Sequence, residues 1–261
     1  MSSTPDTAQA FAKHAASIAR RAGVVLLEAR EDAKAQGVSG RALGALGDAR
    51  AQEAIASWLA DEAPGDAVLS EEAKDTAARL DAERVWIIDP LDGTREYSEG
   101  RDDWAVHVAV WEAGELIAGA VAIPGEDLVL DSASITPPSA AAPEQWRMAV
   151  SRSRPPALVE HLRDSLDLAV VPMGSAGVKV SSVIRGQADA YVHAGGQYEW
   201  DSAAPVAVAR AAGLHTSRID GTPLTYNRRD PYLPDLVVCR PELASPLLAA
   251  IAQAPSFGDH Q

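Results

Sequence analysis

Phe11, Ala15, Ile18, Ala22, Val25 and Ala29 recur at alternating steps of four and three. That spacing traces one stripe of a helix and predicts a face packed against a core. Ala51, Ile55, Trp58 and Leu59 predict a second such face, and Gly37, Gly40, Gly44 and Gly47 between them read as a mobile loop. The segment DEAPGDA predicts a turn, and AVLSEEA a short strand running into acid. RVWIIDPLDGT predicts an apolar strand that stops at Asp89-Pro90, because proline cannot donate to a ladder. From Trp104 to Asp131 the pattern changes to period two, and WAVHVAVW, EAGE and LIAGAVAI predict an antiparallel hairpin.

The Pro- and Ala-rich stretch ITPPSAAAPEQ reads as a linker near 136–145. Beyond it the pattern predicts strand RMAVS, a helix from about Pro156, strand LAVVP, a helix from Ser175, strand ADAYVHA, a helix from Asp201, and strand DLVVC. The expected organisation is an α/β chain in two halves, an N-terminal α+β half over 1–140 and a C-terminal α/β half over 141–261.

Composition narrows the function classes. A chain of 261 residues, 47% hydrophobic, is long enough to bury a sizeable core. It has no apolar run of the about 18 residues that a membrane span needs. Lys13, His14, Arg20 and Arg21 interrupt the N-terminal segment, so no signal peptide is expected. Cys239 is the only cysteine, which excludes an intramolecular disulfide. A cytoplasmic location is the expectation. The net charge of −14 argues against a nucleic-acid backbone as partner. It would also oppose any phosphorylated ligand, unless bound cations invert the local sign.

Five acids stand where strands or loops are predicted to end: Asp48, Glu71, Asp89, Asp92 and Asp201. Carboxylates converging at one sheet edge suit Mg²⁺, a hard cation that takes oxygen ligands. In the run Asp89-Pro90-Leu91-Asp92-Gly93-Thr94, proline stiffens the turn, and two carboxylates and the Leu91 carbonyl are available to metal. Gly93 permits close backbone approach, so its N–H and that of Thr94 can meet a phosphate oxygen. Taken alone, the hexapeptide would often be a turn with self-satisfied Asp side chains. The flanking apolar strand and the upstream Ser70-Glu71-Glu72 weigh against that.

V-W-I-I-D-P-L-D-G-T-R-E-Y resembles the first signature of the inositol monophosphatase superfamily, and Tyr198-Glu199-Trp200-Asp201-Ser202-Ala203-Ala204-Pro205 resembles the second. Leu69-Ser70-Glu71-Glu72 resembles that superfamily's metal-binding acidic pair. The resemblance spans nearly the whole chain. It implies a layered αβαβα sandwich of the inositol monophosphatase and fructose-1,6-bisphosphatase type. It also implies a Mg²⁺-dependent, lithium-sensitive phosphomonoesterase with two or three ions per site. Glu71, Asp89 and the Leu91 carbonyl would hold one metal, and Asp89, Asp92 and Asp201 a second. Thr94, hydrogen-bonded to Asp48 or Glu71, would help activate the attacking water. Asp48 fits the family's upstream acid, although Ala42-Leu43-Gly44-Ala45 replaces the usual D-x-V-T before it. The substrate would lie against Asp92, Gly93, Thr94, Ser175, Lys179 and Asp201, with Lys179 a phosphate partner and Arg95 and Arg101 weaker candidates.

Segments such as GSAGVK, YVHAGGQYEWDSAAP and YNRRDPYLPDLVVCR resemble the branch that removes the 3′-phosphate from 3′-phosphoadenosine 5′-phosphate in sulfate assimilation. Inositol 1-phosphate and fructose 1,6-bisphosphate are the alternative substrates. Tyr198 and Tyr226 are candidates to stack on adenine. The partner implied is a small phosphorylated nucleotide, with no membrane or nucleic acid, and a homodimer is possible. His107 and His193 read as packing or loop residues. Two other classes compete. One is a haloacid dehalogenase phosphatase, whose acids are spaced by two positions rather than the three found here. The other is a non-catalytic Mg²⁺ and nucleotide sensor.

Overall fold

A computed structural model describes residues 5–139, 143–152 and 157–254. Two long helices come first, α1 (Pro5–Ala35) and α2 (Gly40–Glu62). Strands β1 (Ala67–Ser70), β2 (Arg84–Asp92), β3 (Ala105–Glu112), β4 (Glu115–Ile123) and β5 (Leu128–Asp131) follow, with the short helix α3 (Thr94–Ser98) after β2. The remainder is β6 (Arg147–Ser151), α4 (Ala157–Leu166), β7 (Ala169–Met173), α5 (Ala176–Ile184), β8 (Ala190–Tyr198), α6 (Glu199–Ala211), β9 (His215–Ser217), β10 (Tyr232–Cys239) and α7 (Pro241–Ala252). The first sheet has the order β1-β2-β3-β4-β5 and the second β7-β6-β8-β10-β9.

The layers follow from the side-chain alternation. In β2, Trp86 and Ile88 pack under α1 and α2, while Val85 and Ile87 face the other way, into a core shared with α5, α6 and the second sheet. Both faces are covered, so β2 reads as an unbroken apolar run instead of alternating. Met148, Val150, Val192, Val237 and Cys239 point to the far side of the second sheet, under α4 and α7. The result is the αβαβα sandwich expected, with α5 and α6 as its middle layer.

Two expectations need correction. Gly44 and Gly47 are not in a loop, because they lie in the first turns of α2. A Cβ on Gly44 would sit 2.7 Å from Thr94 Cγ2, and one on Gly47 2.8 Å from Tyr97 Cε1. Close approach of α2 to α3 requires glycine there and overrides its poor helix propensity. Nor does β2 stop at Pro90. Asp89 pairs with His107 and Asp92 with Ala105, so β2 carries one extra residue between them. Proline is tolerated because a residue in such a bulge needs no ladder hydrogen bond.

Smaller differences concern element ends. α6 begins at Glu199, two residues before Asp201, and the predicted start of α4 at Pro156 lies outside the described residues. Part of the linker, 140–142, is also outside them; its described residues form no helix or strand.

Candidate active site

Residues three apart on a regular strand face opposite sides of a sheet. The extra residue in β2 resets that alternation, so Asp89 and Asp92 can serve one site. α6 contributes Asp201 from its first turn. Each of the three carboxylates offers an oxygen, and these atoms lie within 4.8 Å of one another. Among the described residues they form the one such group of acids, histidines or cysteines. Asp89 also turns back to accept from the Leu91 N–H at 3.0 Å.

Glu71 and Asp48 flank this group. Glu71 follows β1, which runs parallel to β2 with Ser70 opposite Ile88, and its N–H bonds the Ile88 carbonyl at 3.3 Å. Asp48 stands on α2, where its Oδ1 lies 3.3 Å from the hydroxyl of Thr94, a residue that also donates to the Leu91 carbonyl at 3.2 Å. The expected partnership of Thr94 is therefore with Asp48 in this structure.

The electrostatics are those of anions held together. Loss of hydration raises Asp89 well above the usual carboxylate range, with Asp92, Glu71 and Asp201 adding repulsion. Glu71 stays accessible at the rim, yet partial desolvation and the surrounding acids push it to about 7. Desolvation likewise raises Asp48 and Asp201, each to about 6. Asp92 goes the other way, to about 2. Burial opposes its charge, but His107, Ser175 and the Gly177 N–H more than compensate. Such an array of oxygen donors, with titrations pushed apart, fits a hard divalent cation and marks a functional site.

Asp92 is the hinge between this group and α5. The Ser175 hydroxyl donates to Asp92 Oδ2, the Gly177 N–H donates to the same oxygen at 2.6 Å, and the Ala176 N–H donates to Oδ1 at 3.2 Å. Ser175 also caps α5 by accepting from the Val178 N–H at 3.0 Å. Its hydroxyl is thus committed to Asp92 and to the helix.

A cavity of about 800 Å³ is lined by Asp92, Gly93 and Asp201 together with Ser175, Lys179 and Tyr198. Lys179 is 6% exposed, and its ammonium lies 5.3 Å from the centre of the Tyr191 ring. Burial lowers its pKa, and the nearby carboxylates oppose that shift. Arg95 lines the cavity but is paired with Glu99 at 2.8 Å. Arg101 is paired with Asp103 outside it. Tyr198 stands half exposed on the wall, stacked on Trp200 with ring centres 4.7 Å apart. Tyr226 does not reach the cavity, being buried with its hydroxyl 3.1 Å from that of Ser202.

Sequence reading passed over two contributors. His107 is fully buried, with Nε2 3.2 Å from Asp92 Oδ2 and Nδ1–H donating to the Trp200 carbonyl at 3.1 Å. Burial would lower its pKa, but Asp92 raises it. His193 lines the cavity, its Nε2 2.9 Å from the Gly196 carbonyl, and burial lowers its pKa. The signal for His107 was its place on β3 opposite Asp89, which depends on a strand register that periodicity does not supply.

Comparison with known proteins gives a consistent picture. The chain matches the inositol monophosphatase family over residues 7–137 and 139–255. A Mycobacterium tuberculosis (strain CDC 1551 / Oshkosh) protein named 3′-phosphoadenosine 5′-phosphate phosphatase is 53% identical over 221 residues, covering 81% of this chain and 83% of its own. A Mycobacterium leprae (strain TN) protein of the same name is 49% identical over 252 residues, covering 92% of each chain. Among solved structures, CysQ from Bacteroides thetaiotaomicron superposes with a TM-score of 0.78 at 28% identity, covering 89% of this chain and 97% of that one.

Proposed function

Because the chain belongs to the inositol monophosphatase family and is a phosphatase, we propose that it hydrolyses 3′-phosphoadenosine 5′-phosphate to AMP and phosphate. The observation that carries this reading is a cavity that presents both carboxylates suited to a cation and a buried lysine. Asp92 and Asp201, two of the three clustered carboxylates suited to a divalent cation, line it together with Lys179, which interacts electrostatically with both. A substrate with two phosphates on one small scaffold can set one against bound cations and the other against Lys179.

Asp89, Asp92 and Asp201, with Glu71 and the Leu91 carbonyl, would hold two or three Mg²⁺ ions. When bound, the ions offset the charge of the carboxylates and the phosphate and lower the pKa of water at the site. The backbone N–H groups of Gly93 and Thr94 receive oxygens of the 3′-phosphate. Thr94 Oγ1 positions the attacking water and passes its proton to Asp48, whose raised pKa of about 6 suits a base working near neutrality. The water oxygen forms its bond to phosphorus as the bond from phosphorus to the ribose 3′-oxygen breaks, and that oxygen leaves with a proton from solvent. Lys179 holds the 5′-phosphate, and Tyr198 lies along the path to the base. A magnesium requirement, inhibition by lithium and a cytoplasmic role in sulfate assimilation belong to the same reading.

The test is product identity. Purified protein with magnesium and 3′-phosphoadenosine 5′-phosphate should yield AMP and one equivalent of phosphate. Adenosine 3′-phosphate as the product would mean that the 5′-phosphate is the one set against the carboxylates, and would overturn the orientation. In ¹⁸O-water the label should enter the released phosphate, with no phosphoprotein trapped by acid.

A further inference from the structure

Asp92 and Asp201 lie far apart in sequence, one at the end of β2 and the other in the first turn of α6. Nothing local fixes the distance between their carboxylates. His107 touches both segments. It stands on β3 opposite Asp89, so the ladder between β2 and β3 fixes its backbone. One ring nitrogen lies 3.2 Å from Asp92 Oδ2, and the other bonds the carbonyl of Trp200, the residue before Asp201, at 3.1 Å. The contact with Asp92 is close but off the hydrogen-bonding direction, so Nε2 lacks a well-formed partner.

The third side of the ring is closed by α5. A Cβ on Gly177 would fall 2.0 Å from His107 Nε2, so only glycine lets the helix come this near. The Gly177 N–H then reaches Asp92 Oδ2 at 2.6 Å. Asp92, Gly177 and Trp200 therefore meet on one imidazole, at a fully buried position. An apolar side chain would fill the same space, so volume alone does not account for a ring whose two nitrogens each face an oxygen.

We propose that His107 is a positioning residue that sets the spacing of the Asp92 and Asp201 carboxylates, and through it the affinity of the site for a divalent cation. This rests on the reading of those two residues as cation ligands. Groups that orient metal ligands without touching the metal commonly change affinity by about 10- to 100-fold when removed.

The experiment uses Mn²⁺ as the probe, titrated into the substrate-free full chain and followed by the paramagnetic resonance signal of the free ion. His107→Gln can place a nitrogen near the Nε2 position, His107→Asn near the Nδ1 position, and His107→Leu neither. On proteins matched to wild type by circular dichroism, H107N and H107L should weaken Mn²⁺ binding at least about tenfold, with H107Q within about threefold of wild type. Gly177→Ala keeps the histidine but drives the ring off Asp92, and should weaken binding as H107N does. It also keeps the test decisive if the histidine variants fail to fold. Equal Mn²⁺ affinity in wild type, H107N, H107L and G177A would overturn the positioning role, as would H107Q performing no better than H107N. A wild-type protein that does not bind Mn²⁺ would overturn the carboxylate reading itself, and the inference with it.

Discussion

Gly44→Ala isolates the contact between α2 and the signature turn. The added Cβ would lie 2.7 Å from Thr94 Cγ2, closer than such atoms approach, while its other near neighbours stand at 3.6 and 3.8 Å. Alanine gains about 1 kcal/mol of helix propensity over glycine. Overpacking a tight contact costs about 1–3 kcal/mol. The net loss of stability is therefore about 0–2 kcal/mol, a fall in Tm of no more than about 8 °C. The effect on turnover should be larger. Thr94 is branched at Cβ, so displacing its methyl also moves the hydroxyl that lies 3.3 Å from Asp48. A misplacement of about 1 Å at a reacting group can cost about a hundredfold. The expected loss in kcat/KM is about 10- to 100-fold, measured as magnesium-dependent phosphate release from 3′-phosphoadenosine 5′-phosphate. The control is Thr94→Ser, which removes the methyl and keeps the hydroxyl. In the T94S background, G44A should cost less than about threefold, so the two changes are strongly non-additive. Full activity of G44A in the native background would refute the reasoning, as would an equal loss in both backgrounds.

Asp92→Asn keeps the side-chain shape while removing a charge. It should lower turnover at least about a hundredfold with the fold retained, and near wild-type turnover at saturating magnesium would remove Asp92 from the site. Lys179→Ala should reduce kcat/KM for 3′-phosphoadenosine 5′-phosphate by more than about tenfold while changing that for inositol 1-phosphate by less than about threefold; an equal loss on both would dissociate Lys179 from the second phosphate. Asp48, Glu71 and Asp201 are raised to about 6, 7 and 6, above their values in an unfolded chain. Their contribution to metal-free stability is present below about pH 4 and lost as pH rises through 6–7. Magnesium, binding the ionised forms, should therefore raise Tm more at about pH 7.5 than at about pH 5, and a shift independent of pH would contradict the cluster.

How much of this was legible in the sequence follows from the range of each interaction. The helices carrying Ile18 and Ile55 and the hairpin of β3 and β4 were readable, because a repeating apolar spacing is a local property. Asp89, Asp92 and Asp201 were readable as candidates from two motifs and from acids placed at element ends. What periodicity could not supply was pairing. Gly44 and Gly47 look like loop residues until Thr94 and Tyr97 are seen beside them. Pro90 looks like a strand end until the opposing register of β3 shows an extra residue. His107 looks like one member of an alternating strand until Asp92 and Trp200 close on its ring. Ser175 lines the cavity as expected of a substrate-facing residue, but its bond to Asp92, a contact across the interface between the first sheet and the middle helices, was not legible in the sequence.

The central claim is that a cation site at Asp89, Asp92 and Asp201 acts on a nucleotide carrying two phosphates. The most direct test is kcat/KM for 3′-phosphoadenosine 5′-phosphate and for inositol 1-phosphate, measured on the same protein at one magnesium concentration. The second phosphate and the base give the nucleotide contacts that a bare inositol ring lacks, and such remote contacts can orient the reacting group. The nucleotide should be favoured by about a hundredfold, equivalent to about 2.7 kcal/mol of transition-state discrimination. Equal efficiency on the two substrates would leave the carboxylate site in place and contradict the nucleotide assignment.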